Sequence, residues 1–247
     1  MTKRTAVITG AAGAIGTALC QAFREDGYLV IGADKNKPEA ATCDGFVEVD
    51  LRLLVEDEKY RETIIASVVQ AIGGLRLDTL VNNAAVQIVA PVGDLSVDSW
   101  RHTLNVNLIA PFLLIQALLP YLRAAKGSVV NVGSIHSKLT KPRFSCYATS
   151  KAALSGLTRS LAIELGGDIR INEIAPAATA TPMLVAGLAG RKDVLGKLGE
   201  AHPLGRIANP DEIARTAVFL ASERASFITG ASLQVDGGIG GRLYDPE

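Results

Sequence analysis

The stretch Thr5-Ala-Val-Ile-Thr-Gly-Ala-Ala-Gly-Ala-Ile-Gly16 decides the fold class of this chain. Its first five residues are apolar or β-branched and predict a short buried strand. A glycine-rich turn follows at once, and the apolar spacing over residues 14–27 predicts a helix that Gly27 ends. This arrangement aims unpaired N–H groups and the positive end of a helix dipole at one point. We therefore expect a phosphate cradle here, formed by Gly10, Ala12, Gly13, Ala14 and Ile15.

The rest of the chain alternates short apolar runs with longer helical patterns. The predicted strands are residues 5–9, 29–33, 45–49, 79–82, 128–132, 169–174 and 232–235, and the predicted helices are 14–27, 52–72, two within 98–125, 147–165 and 210–221. Strands that are apolar on both faces and separated by helices are typical of a covered parallel sheet. We predict an α/β fold with a doubly wound, Rossmann-type, seven-stranded parallel sheet and helices on both faces.

The chain shows no linker or repeat, so residues 1–247 are expected to form a single domain. Residues 181–206 lack a clean period and are rich in glycine and proline, which makes them the best candidate for a mobile lid over a pocket.

Composition excludes several classes of function. Lys+Arg and Asp+Glu both number 25, so no net charge favours nucleic acid or an anionic membrane. Three cysteines without CxxC spacing and three scattered histidines predict neither disulfides nor a metal site, and they fit a cytoplasmic protein. The most apolar stretch, residues 106–122, contains Asn107, Gln116 and two prolines, and we interpret it as a buried helix rather than a membrane span.

Asp34 ends the second predicted strand, 18 residues after Gly16. An acid at this place is expected to accept hydrogen bonds from the ribose hydroxyls of a dinucleotide. Its charge would repel the 2′-phosphate of NADP, so we predict NAD as the cofactor, although the adjacent Lys35 would soften that preference. The alternative is an ordinary loop acid that precedes Lys35.

Tyr147 and Lys151 stand four residues apart at the start of a predicted helix, hence on one face. A nearby ammonium lowers the pKa of a phenol and makes it a better base near neutral pH. Ser134 follows the fifth strand, at the end where ligands bind in such sheets, and its hydroxyl is suited to holding a reacting oxygen. The alternatives are a surface pair for Tyr147 and Lys151 and a loop cap for Ser134.

At this point the chain resembles the short-chain dehydrogenases/reductases of the single-domain, roughly 250-residue branch. The resemblance spans nearly the whole chain. It rests on Thr9 to Gly16, Asp50, Asn82-Asn83-Ala84-Ala85, Asn107, Ser134, Tyr147-Ala-Thr-Ser-Lys151, Pro176 to Met183 and Asp236-Gly-Gly, in this order. Three alanines stand where the family usually has glycine: Ala14, Ala85 and Ala177.

The resemblance implies a role for each matching residue. Tyr147 would be the general acid/base, Lys151 would lower its pKa and bind the nicotinamide ribose, and Ser134 would hold the reacting oxygen. Asn107 would bend its helix and anchor a water in a proton relay toward Lys151. The remaining implied cofactor contacts are Asp50 and Leu51 beside the adenine, Asn83, Ala84 and Ala85 on the adenine-ribose side, and Pro176, Thr179 and Thr181 around the carboxamide and pyrophosphate.

Four residues are candidates for contacting a small-molecule substrate: His136, Gln87, Arg143 and Met183. By position alone, Phe144 and Leu184 are further candidates for the pocket wall. For His136 a loop position facing solvent or a neighbour is equally open, and for Arg143 a solvated charge is the alternative. The resemblance also implies a homo-oligomer, either a dimer or a tetramer.

These expectations converge on an NAD-dependent oxidoreductase that interconverts a secondary alcohol and a ketone. Two other readings stay open. An epimerase or dehydratase could use the same cofactor transiently, as the spacing of Gly13 slightly favours. A nucleotide-binding sensor could keep the fold without turnover.

Overall fold

The computed structural model describes residues 3–38, 42–187 and 192–243. Seven strands form one sheet in the order β3-β2-β1-β4-β5-β6-β7, and every neighbouring pair is parallel. The strands are β1 (Thr5–Thr9), β2 (Leu29–Asp34), β3 (Gly45–Glu48), β4 (Thr79–Asn82), β5 (Ser128–Val132), β6 (Arg170–Pro176) and β7 (Ser232–Val235). The strand order reverses between β1 and β4, so the predicted doubly wound sheet is confirmed.

Helices cover both faces of the sheet. They are α1 (Ala14–Glu25), α2 (Leu51–Glu56), α3 (Glu58–Ala71), α4 (Val97–Leu104), α5 (Ala110–Ala125), α6 (Ser145–Leu165), α7 (Pro182–Gly187), α8 (Lys192–Ala201) and α9 (Pro210–Ala221). One core joins alternate strand residues such as Val7 and Val129 to α3, α5 and α6. The other joins residues such as Ile8 and Val130 to α1 and α9. The central strands β1, β4 and β5 are therefore buried on both sides, which explains their apolar patterns.

One helical prediction needs correction, and another is confirmed. The helix predicted over residues 52–72 is two helices, because the Asp57 side chain accepts a hydrogen bond from the Tyr60 N–H and caps a new start. The two helices predicted within residues 98–125 are joined by a π-turn at Asn105–Ile109.

The continuous helical stretch Val97–Ala125 is long and apolar enough to span a membrane by length and composition alone. Its buried residues, including Leu114, Leu118 and Leu122, pack into the core on the sheet. This packing favours the interpretation as a core helix of the fold.

The segment predicted as an irregular lid contains two helices, α7 and α8, and residues 188–191 within it lie outside the described part of the chain. Its mobility stays a prediction.

Candidate active site

The predicted cradle is a tight turn between β1 and α1. Gly10 has a φ of 68°, and a Cβ on it would lie 2.8 Å from the Cα of Ala84. A Cβ on Gly16 would collide with the carbonyl oxygen of Gly10. Gly13 begins α1 without a side-chain cap in the described structure, and the first turn carries no acid. The first N–H groups of α1 thus face a space suited to an anion, which fits a dinucleotide pyrophosphate.

Asn83 and Ala84 fasten the end of β4 to this cradle. The Asn83 side-chain amide donates to the carbonyl oxygens of Thr9, at 2.9 Å, and Gly10, at 3.1 Å. The Thr9 hydroxyl oxygen accepts hydrogen bonds from the N–H groups of both Asn83 and Ala84. Asn83 therefore shapes the cradle, while its predicted contact with a cofactor, like that of Ala85, stays a prediction.

Asp34 lies beside the cradle rather than free in a loop. Its Oδ2 accepts a hydrogen bond from the Ala12 N–H at 3.0 Å, and its Oδ1 accepts one from the Asn36 N–H at 3.1 Å. The carboxylate thus sits at the carboxyl end of β2 next to the phosphate cradle, where the ribose of a bound dinucleotide would lie.

Asp50 and Leu51 have structural partners of their own. The Asp50 carboxylate caps α2 by accepting from the Arg52 N–H at 2.8 Å, and Leu51 is buried in the core. Both residues therefore hold the start of α2, and their predicted place beside the adenine stays a prediction.

Ser134, Tyr147 and Lys151 come together beyond the carboxyl end of β5. Ser134 follows β5 after one residue, and its Oγ accepts from the His136 N–H at 3.2 Å. Tyr147 and Lys151 lie one turn apart near the start of α6, and the Lys151 Nζ is 5.7 Å from the centre of the Tyr147 ring. The buried Lys151 ammonium donates to the Val132 carbonyl at 2.7 Å.

The charge states in this group depart from the expectation. Burial raises the pKa of Tyr147, and the Ser134 hydroxyl, which donates to the phenol oxygen, lowers it in part. The predicted lowering by Lys151 does not prevail, because desolvation of the phenol raises its pKa. Burial also lowers the pKa of Lys151 to about 8, while the negative charge of Glu173 raises it.

Asn107 is buried within the π-turn, which interrupts the α-helical pattern between α4 and α5, and the predicted bend of the helix stays a prediction. Its Oδ1 accepts from the Val86 N–H at 2.8 Å, and its Nδ2 donates to the Val86 carbonyl and to the Ser150 Oγ. The carboxamide thus ties the loop after β4 to α6. Its part in a proton relay stays a prediction.

His136 belongs to an aromatic cluster at the mouth of the site. Its ring stacks on Phe144 with centroids 4.7 Å apart and meets the edge of Tyr147 at 5.8 Å. The Lys141 ammonium lies 4.6 Å from the centre of the Phe144 ring. Burial and the charge of Lys141 lower the pKa of His136 to about 4, so this residue is neutral near pH 7. The half-buried ring therefore faces neighbouring side chains, as the alternative allowed, and its contact with a substrate stays a prediction.

The other three substrate candidates are placed differently. Gln87 is half-buried directly after Val86, which Asn107 holds. Arg143 is exposed with a φ of 75°, and its carbonyl accepts from the Ala90 N–H, which joins the two loops at the mouth. Met183 is exposed on α7. It does not line the cavity described in the next paragraph, whereas the neighbouring Leu184 does.

A cavity of about 560 Å³ lies beneath the lid. It is lined by Ala180, Thr181, Pro182, Leu184, Val185, Ala186, Leu195 and Ile207. The Thr181 hydroxyl caps α7 by accepting from the Leu184 N–H, and buried Thr179 donates to the Ala177 carbonyl just beyond Pro176. The predicted cofactor residues Thr179 and Thr181 therefore lie where the lid segment begins.

Sequence reasoning missed Glu173, Ser150 and Lys141. A signal for Glu173 was present, since it is the one acid within the strand Arg170–Pro176, next to the apolar Ile174. Lys141 carries no such signal, because its contact with Phe144 depends on the loop conformation.

Comparison with known proteins agrees with this geometry. A family model described as Enoyl-(Acyl carrier protein) reductase matches residues 10–240. Protein FixR of Bradyrhizobium diazoefficiens is 38% identical over 94% of this chain and 85% of its own length. The cis-4-hydroxycyclohexanecarboxylate dehydrogenase of Sinomonas cyclohexanicum is 37% identical over 96% of each chain. The chain belongs to the short-chain dehydrogenase/reductase family.

Solved structures of this family show the same fold. The aldohexose dehydrogenase of Thermoplasma acidophilum has a TM-score of 0.90 at 30% identity and covers 99% of this chain and 98% of its own. A 3-ketoacyl-(acyl-carrier-protein) reductase of Brucella melitensis, complexed with NADH, has a TM-score of 0.85 at 28% identity, over 96% and 98% of the two chains. A gluconate 5-dehydrogenase of Beutenbergia cavernae holds NADP, with a TM-score of 0.86 at 32% identity over 97% of each chain. The protein is an oxidoreductase of a family that uses nicotinamide dinucleotides.

Proposed function

We propose that this short-chain dehydrogenase/reductase is NAD(H)-dependent and interconverts a secondary alcohol and a ketone. The observation that carries the proposal is the grouping of Ser134, Tyr147 and Lys151 at the same sheet edge as the phosphate cradle. Parallel strands place all their carboxyl ends at one edge, so a cofactor in the cradle and a substrate at Tyr147 would lie in one crevice.

Each of these residues has its own role in the proposed reaction. NAD, when bound, supplies the hydride acceptor or donor. The Ser134 hydroxyl holds the substrate oxygen, and the Tyr147 phenol oxygen takes the carbinol proton in oxidation or returns it in reduction. Lys151 in its ammonium form, which lies 5.7 Å from the centre of the Tyr147 ring, favours the phenolate of Tyr147. The aromatic cluster around Tyr147, in which Phe144 is buried and His136 and Tyr147 are half-buried, limits the access of water.

The choice of NAD over NADP rests on Asp34. Its carboxylate is fixed beside the cradle by the Ala12 N–H, so it is aimed at the ribose side of a bound dinucleotide. A 2′-phosphate there would meet a negative charge at short range.

The test is reduction of NAD⁺ and, separately, of NADP⁺ at 340 nm against secondary alcohols, sugars and hydroxy acids. We expect turnover with NAD⁺ and a kcat/KM at least about tenfold lower with NADP⁺, as expected for one unfavourable charge contact. A higher kcat/KM with NADP⁺, seen as faster formation of NADPH than of NADH, would contradict the role proposed for Asp34. Substrate conversion without net NADH would favour the epimerase or dehydratase, and tight NADH binding without any conversion would favour the sensor.

We also infer that the alcohol carries a negatively charged group. Between Asp98 and Glu164 the chain contains neither aspartate nor glutamate, and the loop from Ser134 to Tyr147 carries Lys138, Lys141 and Arg143. Within residues 3–38, 42–187 and 192–243 none of these three cations forms an ion pair. Contacts run from Lys141 through Phe144 and His136 to Tyr147, which supports a positive charge on the same side of the site as the reacting group. The similarity to a cis-4-hydroxycyclohexanecarboxylate dehydrogenase accords with an acidic substrate.

Matched hydroxy acids and their methyl esters test this inference. We expect kcat/KM to be at least about tenfold higher for the acid, since one charge-assisted contact contributes roughly 1.5–3 kcal/mol. Lys141→Met is expected to reduce this ratio mainly through a higher KM for the acid. Lys126→Met, before the amino end of β5 and so at the opposite end of that strand from Ser134, is the matched control and should leave the ratio unchanged. Equal kcat/KM values for acid and ester would contradict the inference.

A further inference from the structure

Glu173 is a fully buried acid in the centre of the sheet, on β6. It lies in register with Asn131 of β5 and Ser232 of β7, and Asn131 in turn donates to Thr158 of α6. The side chains of Asn131 and Glu173 therefore lie on the face of the sheet that α6 covers, and α6 carries Tyr147 and Lys151. In the described part of the chain neither carboxylate oxygen of Glu173 has a hydrogen-bond partner of good geometry. A buried acid in this state is costly, so a purely structural position would be better filled by an apolar residue.

The carboxyl group packs against the backbone between two parts of the catalytic machinery. A Cβ on Gly133 would collide with the Glu173 Oε1, so the acid fills the space that this glycine leaves. Val132, on one side of Gly133, provides the carbonyl that anchors Lys151, and Ser134 follows on the other side. The Gly133 N–H donates to the carbonyl of Ile174, next to Glu173, which fixes the two strands at this point.

The charged groups that face Glu173 come from two elements. Lys151 and Arg159 lie on α6, and Lys138 lies on the loop after Ser134. Lys151 is the one of these that is buried with Glu173 in the core of the site. In a region of low dielectric, a negative charge on Glu173 acts strongly on the ammonium of Lys151.

We propose that Glu173 is a positioning residue that keeps Lys151 in its ammonium form and anchored at the Val132 carbonyl. Through Lys151 it sets the pH range in which Tyr147 accepts a proton, and this part of the proposal rests on the proposed function. Glu173 touches neither substrate nor cofactor in this account. It acts from behind the catalytic lysine, on the side away from the crevice.

The directions of the pKa shifts agree with this arrangement. Burial lowers the pKa of Lys151 to about 8, and the charge of Glu173 raises it against that effect. Burial raises the pKa of Glu173, and the Ser155 hydroxyl and the charge of Lys151 lower it. Each group thus favours the charged form of the other. Without the acid, burial acts on Lys151 alone and its pKa falls below about 8.

The experiment is an NMR titration of lysine labelled with ¹³C at Cε, with the Lys151 signal assigned by its loss in Lys151→Arg. Glu173→Gln keeps the shape of the side chain and removes its charge. We expect the midpoint of Lys151 to fall by about one pH unit in this variant. Glu173→Met, an uncharged side chain of similar length, should give the same shift, and Glu173→Asp should restore most of the original midpoint. Glu164→Gln, an exposed acid on α6, is the matched control and should leave Lys151 unchanged.

A Lys151 midpoint that is the same in wild type, Glu173→Gln and Glu173→Met would overturn the proposal, because a role in packing alone predicts no change. In turnover, the high-pH limb of kcat for alcohol oxidation should move to lower pH in Glu173→Gln, with KM for the alcohol unchanged. If the wild type oxidises no alcohol, the proposed function fails, and the titration still decides whether Glu173 holds the charge of Lys151.

Discussion

At the residue scale, the proposed alcohol oxidation depends on the phenol oxygen of Tyr147 as the proton acceptor. Tyr147→Phe removes only that oxygen and keeps the ring contacts with His136 and Phe144. We expect NADH binding to be retained and kcat to fall by about 100-fold or more, the usual contribution of a general acid/base. Tyr121→Phe, in the partly buried position on α5, is the control and should keep its turnover. Retained turnover in Tyr147→Phe, measured at 340 nm, would remove Tyr147 from its role.

The neutral state of His136 has a consequence for stability. Its pKa is lowered to about 4, below the ordinary value of 6.5, so the unfolded chain binds more protons between these values. This contribution to stability is therefore present above pH 6.5 and is lost as the pH falls toward 4. We expect the free energy of unfolding in urea to fall less steeply over this range in His136→Gln than in the wild type. Parallel pH profiles for the two proteins would show that His136 is accessible to protons.

The sequence allowed the identities of the catalytic residues to be predicted, because the chemistry requires particular side chains at fixed spacing. Ser134, Tyr147 and Lys151 meet where the order of strands and helices placed them. The direction of the Tyr147 pKa could not be predicted, since it depends on the burial of the phenol in the folded chain. The outward position of Met183 was equally hidden, because residues 181–206 carry no periodic pattern that orients α7.

At the scale of elements, the π-turn at Asn105–Ile109 connects the helix to the site. Asn107→Ala would leave the half-buried N–H and carbonyl of Val86 without their side-chain partner and free the loop that carries Gln87. We expect the free energy of unfolding to fall by about 1–3 kcal/mol, the cost of leaving partly buried polar groups unsatisfied. Asn105→Ala in the same turn loses only a surface contact with Glu56 and should cost less than about 1 kcal/mol. Equal effects in urea denaturation would contradict the anchoring role of Asn107.

The strands were predicted to within two residues at each end, because burial on both faces leaves an unbroken apolar run that loops do not imitate. The break between α2 and α3 was missed, although Asp57 is a suitable cap, since the apolar spacing continues across it. The π-turn could not be located from spacing alone. The wider turn leaves no mark in the apolar spacing, and its position is seen only in the structure, where Asn107 hydrogen-bonds to Val86.

At the scale of the whole molecule, two helices present apolar side chains that the single chain leaves uncovered. On α5 these are Ile109 at its start and Phe112, and on α6 Ile163 is 87% exposed. We propose that these faces pack against a second copy of the chain, in a dimer or tetramer. Phe112→Glu should then shift the protein to a smaller species in light scattering coupled to gel filtration. Leu75→Glu, equally apolar and 79% exposed but on the loop after α3, should leave the assembly unchanged. A wild-type protein that elutes as a monomer would contradict this proposal.

The most direct test of the central claim follows the hydrogen that leaves the substrate. The wild-type protein is incubated with NAD⁺ and a secondary alcohol that carries deuterium on its carbinol carbon, and proton NMR detects deuterium at C4 of the nicotinamide. We expect deuterated NADH in an amount equal to the ketone formed, and about 100-fold less of both products in the same time with Tyr147→Phe. Ketone or isomerised alcohol without deuterium in the released NADH would show that this chain does not carry out net hydride transfer to NAD⁺.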